Sequence, residues 1–147
     1  MHLLLQPPFV AMLITISAWL IHSRLGPWPT VLYMPILGGG LVVAGVAFMM
    51  WARILFTSRR TTLFVGKVSS HLVCEGPFRF SRNPMYVGVL VSLLGVALWV
   101  GTSPMYLATL VTFLFLNFFH IPREEQMLRE SFSEQYLVYS KDVRRWL

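Results

Sequence analysis

The residues most able to do chemistry stand at the two ends of one long uncharged stretch. The run Arg82-Asn83-Pro84-Met85-Tyr86-Val87-Gly88 opens this stretch, and Glu124-Glu125 follows it. No Lys, Arg, Asp or Glu occurs between Asn83 and Pro122, which leaves room for two apolar helices. A helical hairpin returns both of its polar ends to the same membrane surface. The pattern therefore predicts a site for a polar ligand at that surface, beside a substrate that comes from the lipid.

The first polar group marks the start of a helix. Asn83 stands where an N-cap residue is expected, and Pro84 takes the first helical position. The free N–H groups of a helix N-terminus suit a carboxylate or a phosphate, and Arg82 adds positive charge beside them. The simpler interpretation is a helix start with interfacial residues, since Arg and Tyr, such as Tyr86, are common near membrane surfaces.

The second polar group is the carboxylate pair Glu124 and Glu125. Acidic residues in the first turn of a helix complement its dipole, which is the simpler interpretation. The alternative is that one carboxylate binds a cationic or hydroxylated ligand. Because neighbouring residues on a helix point about 100° apart, we expect one of the two to face the site and the other to face away.

The elements that hold these groups are predicted to be transmembrane helices. Hydrophobic residues make up 56% of the 147, and charged residues 12%, about half the fraction of an ordinary soluble domain. We predict a single domain, residues 1–147, with the fold class of an all-α integral membrane protein. Its expected elements are four spans near residues 9–21, 31–51, 85–100 and 105–119, a loop at 53–82, and an amphipathic C-terminal helix at 123–140.

The positions of the basic residues predict the orientation. Eleven of the twelve Lys and Arg residues lie in residues 53–82 and 123–145. The positive-inside rule places both segments, both termini and the polar site on the cytoplasmic side. The net charge of +6 is then explained by topology and by anionic membrane lipids, so no nucleic-acid partner is predicted. The scattered histidines and the single cysteine have no metal-ligand spacing, and no metal is predicted.

Small residues predict where helices approach closely. In the second span, Gly40 and Ala44 are spaced to let two backbones meet, and Gly88 and Gly95 do the same in the third. In the C-terminal helix, apolar and aromatic side chains recur on one face, at Leu128, Phe132, Tyr136 and Tyr139. We expect this helix to close over a site between the spans.

These motifs, taken in order, resemble a known family. The first is Leu72-Val73-x-x-Gly76-Pro77-Phe78-x-x-Ser81-Arg82-Asn83-Pro84-x-Tyr86-x-Gly88. The second is Glu124-Glu125-x-x-Leu128-x-x-x-Phe132-x-x-x-Tyr136-x-x-Tyr139. Together they look like the isoprenylcysteine carboxyl methyltransferases, which are grouped with the phospholipid N-methyltransferases. The resemblance covers roughly residues 72–146 and is closest to the bacterial and archaeal branch, which implies a prokaryotic cytoplasmic membrane.

The resemblance implies a membrane enzyme that uses S-adenosylmethionine and releases S-adenosylhomocysteine. Its acceptor would be a lipophilic molecule or lipid that enters from the bilayer, such as an isoprenylcysteine-type carboxylate. No catalytic histidine is expected, because the cofactor carries an activated methyl group. The implied cofactor contacts are Leu72, Val73, Asn83, Tyr86, Glu124 and Glu125, and the implied catalytic residues are Arg82 and Glu125.

Two positions depart from the family pattern. Asn83 stands where the family usually has His, so acid–base chemistry by an imidazole at that position is absent, although an amide still forms hydrogen bonds. Ser133 stands where the family has Gly, which puts the local turn in question.

Two other functions are compatible with parts of the pattern. Some membrane sterol reductases resemble this family in their C-terminal region and bind NADPH, but they have more spans. A small transporter or scaffold is the non-enzymatic alternative, although transporters usually carry an ionisable residue within a span. The sequence leaves open the acceptor atom, the native substrate and the oligomeric state.

Overall fold

The computed structural model describes residues 7–58 and 72–147. Within them the chain forms helices and turns, and the one β-type contact is an isolated bridge between Thr30 and Thr102. The predicted fold class, a helical integral membrane protein, is confirmed. The elements are α1 (Pro7–Leu25), α2 (Pro35–Ser58), a 3₁₀ turn (Gly76–Arg79), α3 (Pro84–Val100), α4 (Ser103–Phe115), a π-helical turn (Leu116–His120) and α5 (Ile121–Asp142).

Three helical stretches in the described residues are long and apolar enough to cross a membrane. They are Pro7–Leu25, Pro35–Ser58 and the continuous stretch Ser103–Asp142. The apolar helix Pro84–Val100 is shorter, at 17 residues. At 1.5 Å per residue it is ~26 Å long, slightly less than the ~30 Å of hydrocarbon in a bilayer.

The second helix differs from its predicted bounds of 31–51 at both ends. It begins at Pro35, because the backbone of residues 31–34 pairs with the far end of α3 instead. Val31 N donates to Gly101 O at 2.8 Å, and Met34 N donates to Leu98 O at 3.0 Å. At its other end α2 continues to Ser58, so it includes the first residues of the predicted loop. The expectation of an ordered loop at 59–71 lies outside the described residues.

The fourth span and the C-terminal helix are continuous, although the sequence predicts a break near residue 122. The π-helical turn Leu116–His120 joins α4 to α5, and Pro122 lies in the first turn of α5. Proline has no N–H to donate to the preceding turn, and the wider π-helical turn lies just before it, where a regular helix would be interrupted. The part of this stretch before Ser133, residues 103–132, is ~45 Å long at 1.5 Å per residue, which exceeds the ~30 Å of hydrocarbon in a bilayer.

Helices α2 and α3 pack with their backbones in contact at two pairs of glycines. A Cβ on Gly38 would lie 2.6 Å from Gly95 O, and a Cβ on Gly45 would lie 2.6 Å from Gly88 O. The predicted role of Gly88 and Gly95 agrees with this contact. The predicted role of Gly40 and Ala44 is wrong, because Gly40 is on an exposed face with no other group within 4 Å of its Cβ direction.

A kink divides α5 and turns its second half toward α3. Ser133 has φ 42° and ψ −111°, a conformation that favours glycine. Beyond the kink Tyr136 and Tyr139 are buried, and the Tyr139 hydroxyl donates to Phe78 O at 2.8 Å. The 3₁₀ turn, the start of α3 and both halves of α5 therefore meet at one end of the helical bundle.

Candidate functional site

The centre of the site is a buried carboxylate held by two arginines. Glu125 is only 4% exposed. The Arg145 guanidinium binds it with two hydrogen bonds, from Nη2 to Oε2 at 2.7 Å and from Nε to Oε1 at 3.2 Å. Arg82 Nη2 lies 3.2 Å from the same Oε1. The hydrogen bonds to Glu125 raise the pKa of the Arg145 guanidinium. Two guanidinium groups and one carboxylate leave one excess positive charge here.

Arg82 connects the start of α3 to the end of α5. Its Nη1 donates to the Tyr136 hydroxyl at 3.2 Å, and its backbone N donates to Arg144 O at 2.9 Å. Its side chain is 13% exposed. Within the described residues, the Nε atom of Arg82 is buried and has no hydrogen-bond partner. A buried donor without a partner is costly, so this N–H is a candidate position for an acceptor atom of a ligand.

The residues after α5 fold back into the site, which sequence analysis did not predict. Arg145 O accepts hydrogen bonds from Asn83 Nδ2 at 3.0 Å and from Ser81 Oγ at 3.2 Å. Trp146 Nε1 donates to Asn117 Oδ1 at 3.0 Å. The only signal in the sequence is the Arg-Arg-Trp run after an amphipathic helix, and that run resembles an ordinary interfacial anchor.

Asn83 starts α3 with its backbone and not with its side chain. Its carbonyl accepts from the N–H groups of Tyr86 at 3.0 Å and Val87 at 3.1 Å. Its side chain makes no capping hydrogen bond, because the amide is turned toward Arg145 O. Asn83 and Pro84 therefore take the predicted N-cap and first helical positions, but the Asn83 side chain does not cap the helix.

Next to this cluster, three polar groups from three elements form a closed triangle. The Tyr86 hydroxyl of α3 donates to Glu124 Oε1 at 2.8 Å. His120 Nε2, in the π-helical turn, lies 3.0 Å from the Tyr86 hydroxyl oxygen and 3.2 Å from Glu124 Oε1. The Glu124 side chain is 32% exposed. Glu125 is thus the buried member of the pair, but Glu124 also contacts the start of α3. Sequence analysis did not include His120 in the site.

Leu72 and Val73 lie on the apolar side of this region. Val73 is buried in a cluster with Ala52 and Phe78, and Leu72 is half-buried. The cluster connects to the polar site through Phe78, whose carbonyl accepts the Tyr139 hydroxyl at 2.8 Å. These two residues form a neighbouring wall and are not part of the arginine–carboxylate cluster.

Comparisons with known proteins give a family match that covers most of the site. The model of the phospholipid methyltransferase family matches residues 33–135, more than two thirds of the chain. An uncharacterized protein of Haemophilus influenzae is 41% identical over 63 residues, which is 43% of this chain and 100% of that relative. No solved structure matches the chain. The family match includes Arg82, Asn83, Tyr86 and the Glu124–Glu125 pair, and it ends before Tyr136 and Arg145.

Proposed function

Because the chain belongs to the phospholipid methyltransferase family, a family of membrane methyltransferases that act on lipids, we propose that it uses S-adenosylmethionine to methylate a lipophilic acceptor. We further propose that the site faces the cytoplasm, as the basic residues at that end of the helices favour. The acceptor reaches the site from the bilayer and leaves its apolar part in the lipid.

The observation that supports this proposal best is the unbalanced charge around Glu125. Arg82 and Arg145 share one carboxylate, and Arg82 Nε is buried without a partner in the described residues. An anionic group of a ligand would balance the excess charge and accept this donor. S-adenosylmethionine has such a group in its carboxylate. Its ammonium and ribose hydroxyl groups are donors that suit the carboxylates of Glu124 and Glu125.

The side chains therefore fit the cofactor by their chemistry. Arg82 and Asn83 would hold its anionic part, Tyr86 and the two glutamates would hold its donor groups, and Leu72 and Val73 would provide the apolar wall. The bound cofactor supplies an activated methyl group on sulfur. The contribution of the protein is to align the donor and the acceptor and to exclude water, and positioning of this kind can lower a barrier by about 7–11 kcal/mol.

Because Glu125 is buried between two arginines, we expect its substitution to weaken cofactor binding. A neutral side chain at this position would leave both arginines without their anion and would misplace the Arg82 guanidinium. We expect Glu125→Gln to weaken S-adenosylhomocysteine binding by roughly 1–3 kcal/mol, the usual cost of leaving a buried hydrogen-bonding group without its partner. This loss corresponds to roughly 5- to 150-fold in the dissociation constant.

The experiment that tests the proposal is transfer of a labelled methyl group into lipid. Protein reconstituted in vesicles of phosphatidylethanolamine and phosphatidylglycerol would be incubated with methyl-labelled S-adenosylmethionine, with N-acetyl-S-farnesylcysteine added to a parallel sample. Label in the lipid or in the farnesylcysteine fraction supports the proposal, with less label expected for Glu125→Gln. The matched control is Glu134→Gln, which removes the same charge from an exposed part of α5. Equal activity of the two variants would contradict the role given to Glu125.

A further inference from the structure

His120 is brought into the site by an irregularity of the helix. The π-helical turn Leu116–His120 inserts a wider turn between α4 and α5. Turns of this kind are rare and occur often at functional sites. The last residue of this turn is His120, whose side chain is 14% exposed and packs against aromatic rings. The Tyr86 ring lies edge-on at 5.6 Å, and the Phe115 ring is stacked at 6.3 Å.

The polar contacts of His120 are those of a group that can take up and release a proton. The Tyr86 hydroxyl donates its hydrogen bond to Glu124, so His120 Nε2, which lies 3.0 Å from the Tyr86 oxygen and 3.2 Å from Glu124 Oε1, is the donor in these contacts. The contacts fix the orientation of the ring, leave Nδ1 as the basic nitrogen, and place a carboxylate beside the positive charge of a ring that gains a proton. A neutral imidazole ring has one N–H donor and one nitrogen that can accept a proton.

Among the described residues, no second histidine lies near His120. Tyr86 of α3 and Glu124 of α5 contact it directly. The neighbouring charged groups are Arg82 and the Glu125–Arg145 pair, which bind one another. The other histidine in the described part, His22, is at the opposite end of the bundle, where its Nδ1 lies 3.1 Å from Thr102 Oγ1.

We propose that His120 accepts the proton that the methyl acceptor must lose, with Glu124 stabilising the protonated ring and Tyr86 orienting it. This inference rests on the proposed function and extends it to the class of acceptor. A carboxylate acceptor has no proton to lose, so a proton-accepting residue indicates an acceptor with an N–H or O–H group. A protonated amine at the membrane surface, next to Glu124, fits this requirement.

The proton and electron balance of the step is simple. The acceptor nitrogen or oxygen gives one proton to Nδ1 of His120, the ring nitrogen that has a free electron pair, and becomes a nucleophile with a free electron pair of its own. That pair forms the new bond to the methyl carbon. The bond from this carbon to the sulfur of the sulfonium donor breaks, and its electron pair stays on sulfur as the positive charge is neutralised. The ring proton then leaves to water at the exposed side of Glu124.

The test compares His120→Gln with His22→Gln in the vesicle assay, with phosphatidylethanolamine as the acceptor probe. Glutamine keeps a polar group beside Tyr86 and Glu124 but cannot take up the proton. We expect the turnover rate of His120→Gln to fall about 10²- to 10⁴-fold, the usual contribution of a general base. Its affinity for S-adenosylhomocysteine should stay within about twofold of the unchanged protein, and added imidazole should restore part of the rate. His22→Gln should behave like the unchanged protein.

A second measurement does not depend on turnover. In protein without cofactor, labelled at its histidine rings, the NMR signal that is lost in His120→Gln should shift in Glu124→Gln and in Tyr86→Phe. The same signal should stay in place in Glu134→Gln. A shift of this kind supports the contacts among His120, Tyr86 and Glu124 on which the proposal depends. A signal that stays in place in both Glu124→Gln and Tyr86→Phe would overturn the proposal.

The two proposals fail in different ways. Full turnover by His120→Gln, or methylation of the farnesylcysteine carboxylate in preference to the amine, would overturn the role of His120 and leave the methyltransferase function standing. If the unchanged protein neither binds S-adenosylhomocysteine nor transfers label, the proposed function itself is wrong, and the role of His120 falls with it.

Discussion

Substitution of Arg145 tests whether the residues after α5 are part of the folded site. Arg145→Gln removes the guanidinium that binds Glu125 and leaves the neighbouring residues unchanged. Arg144→Gln is a close control, because it makes the same change of charge one residue earlier. The side chain of Arg144 is exposed, and its contribution to the site is its backbone carbonyl, which the substitution retains.

The structure gives the size of the expected effect. Arg145 donates two hydrogen bonds to Glu125, at 2.7 and 3.2 Å, and hydrogen bonds to charged groups contribute about 1.5–3 kcal/mol each. Two facts lower the estimate. The Arg145 side chain is 34% exposed, so water screens the pair, and Arg82 stays in contact with Glu125 after the substitution. We expect Arg145→Gln to lower the free energy of unfolding by about 1–2 kcal/mol.

Unfolding of the purified protein in mild detergent with increasing dodecyl sulfate, followed by tryptophan fluorescence, measures this difference. Trp146 is one of five tryptophans, and its ring lies 5.3 Å from the Phe113 ring with its Nε1 bonded to Asn117. The summed tryptophan emission should therefore shift toward longer wavelength in Arg145→Gln and stay unchanged in Arg144→Gln. Equal stability and equal emission of the two variants would refute the reasoning, since it would show that the guanidinium is not needed to hold this segment.

Three further predictions concern the backbone and the single cysteine. Ser133→Gly should raise the free energy of unfolding by about 1 kcal/mol, because glycine adopts a positive φ without strain. Ser131→Gly, in the regular helix, should lower the free energy of unfolding by about 0.5–1 kcal/mol. The same detergent unfolding series measures both variants, and a lower free energy of unfolding for Ser133→Gly would contradict the kink. Gly45→Ala should destabilise the protein by about 1–3 kcal/mol, since its methyl group meets the backbone of α3, and Gly40→Ala should not, because that position is open. Burial and the nearby Glu75 carboxylate raise the pKa of the Cys74 thiol, so at pH 7–8 maleimide should label folded protein more slowly than protein unfolded in dodecyl sulfate, with equal rates arguing against this environment.

The helices could be predicted from the sequence because their signals are local. Charge-free runs mark the spans, Asn83-Pro84 marks the start of α3, and Gly101 with Pro104 marks the turn between α3 and α4. The bounds of α2 were less predictable. Residues 31–34 were predicted to be helical, but their backbone pairs with the end of α3 and the α3–α4 turn. This pairing depends on residues distant in sequence, so a local pattern does not reveal it.

Part of the site could also be predicted, because the motifs at its edges are distinctive. The motifs predicted that Arg82 and Glu125 belong to one site, and in the structure their side chains lie 3.2 Å apart. One glutamate of the pair was expected to face the site and the other to face away, whereas Glu125 contacts Arg82 and Glu124 contacts Tyr86. Their proposed roles toward a cofactor remain predictions, as do those of Asn83, Tyr86 and Glu124.

His120 and Arg145 were not predicted to belong to the site, and each omission has a physical reason. The π-helical turn has no sequence signature, and without its wider turn a regular helix would carry His120 to a different angle around the axis. Arg145 reaches Glu125 only because α5 bends at Ser133 and the chain then folds back. A serine gives little indication of such a bend. In both cases the side chain looks ordinary, and the backbone irregularity determines where it lies.

The most direct test of the central claim is a calorimetric titration of the detergent-purified protein with S-adenosylmethionine and S-adenosylhomocysteine, with NADPH as the control ligand. We expect saturable binding of the first two ligands and none of NADPH. Binding of NADPH alone would place the protein with the reductases. The absence of binding by all three, in a sample shown to be folded, would contradict the cofactor site and leave a structural or transport role for the helices.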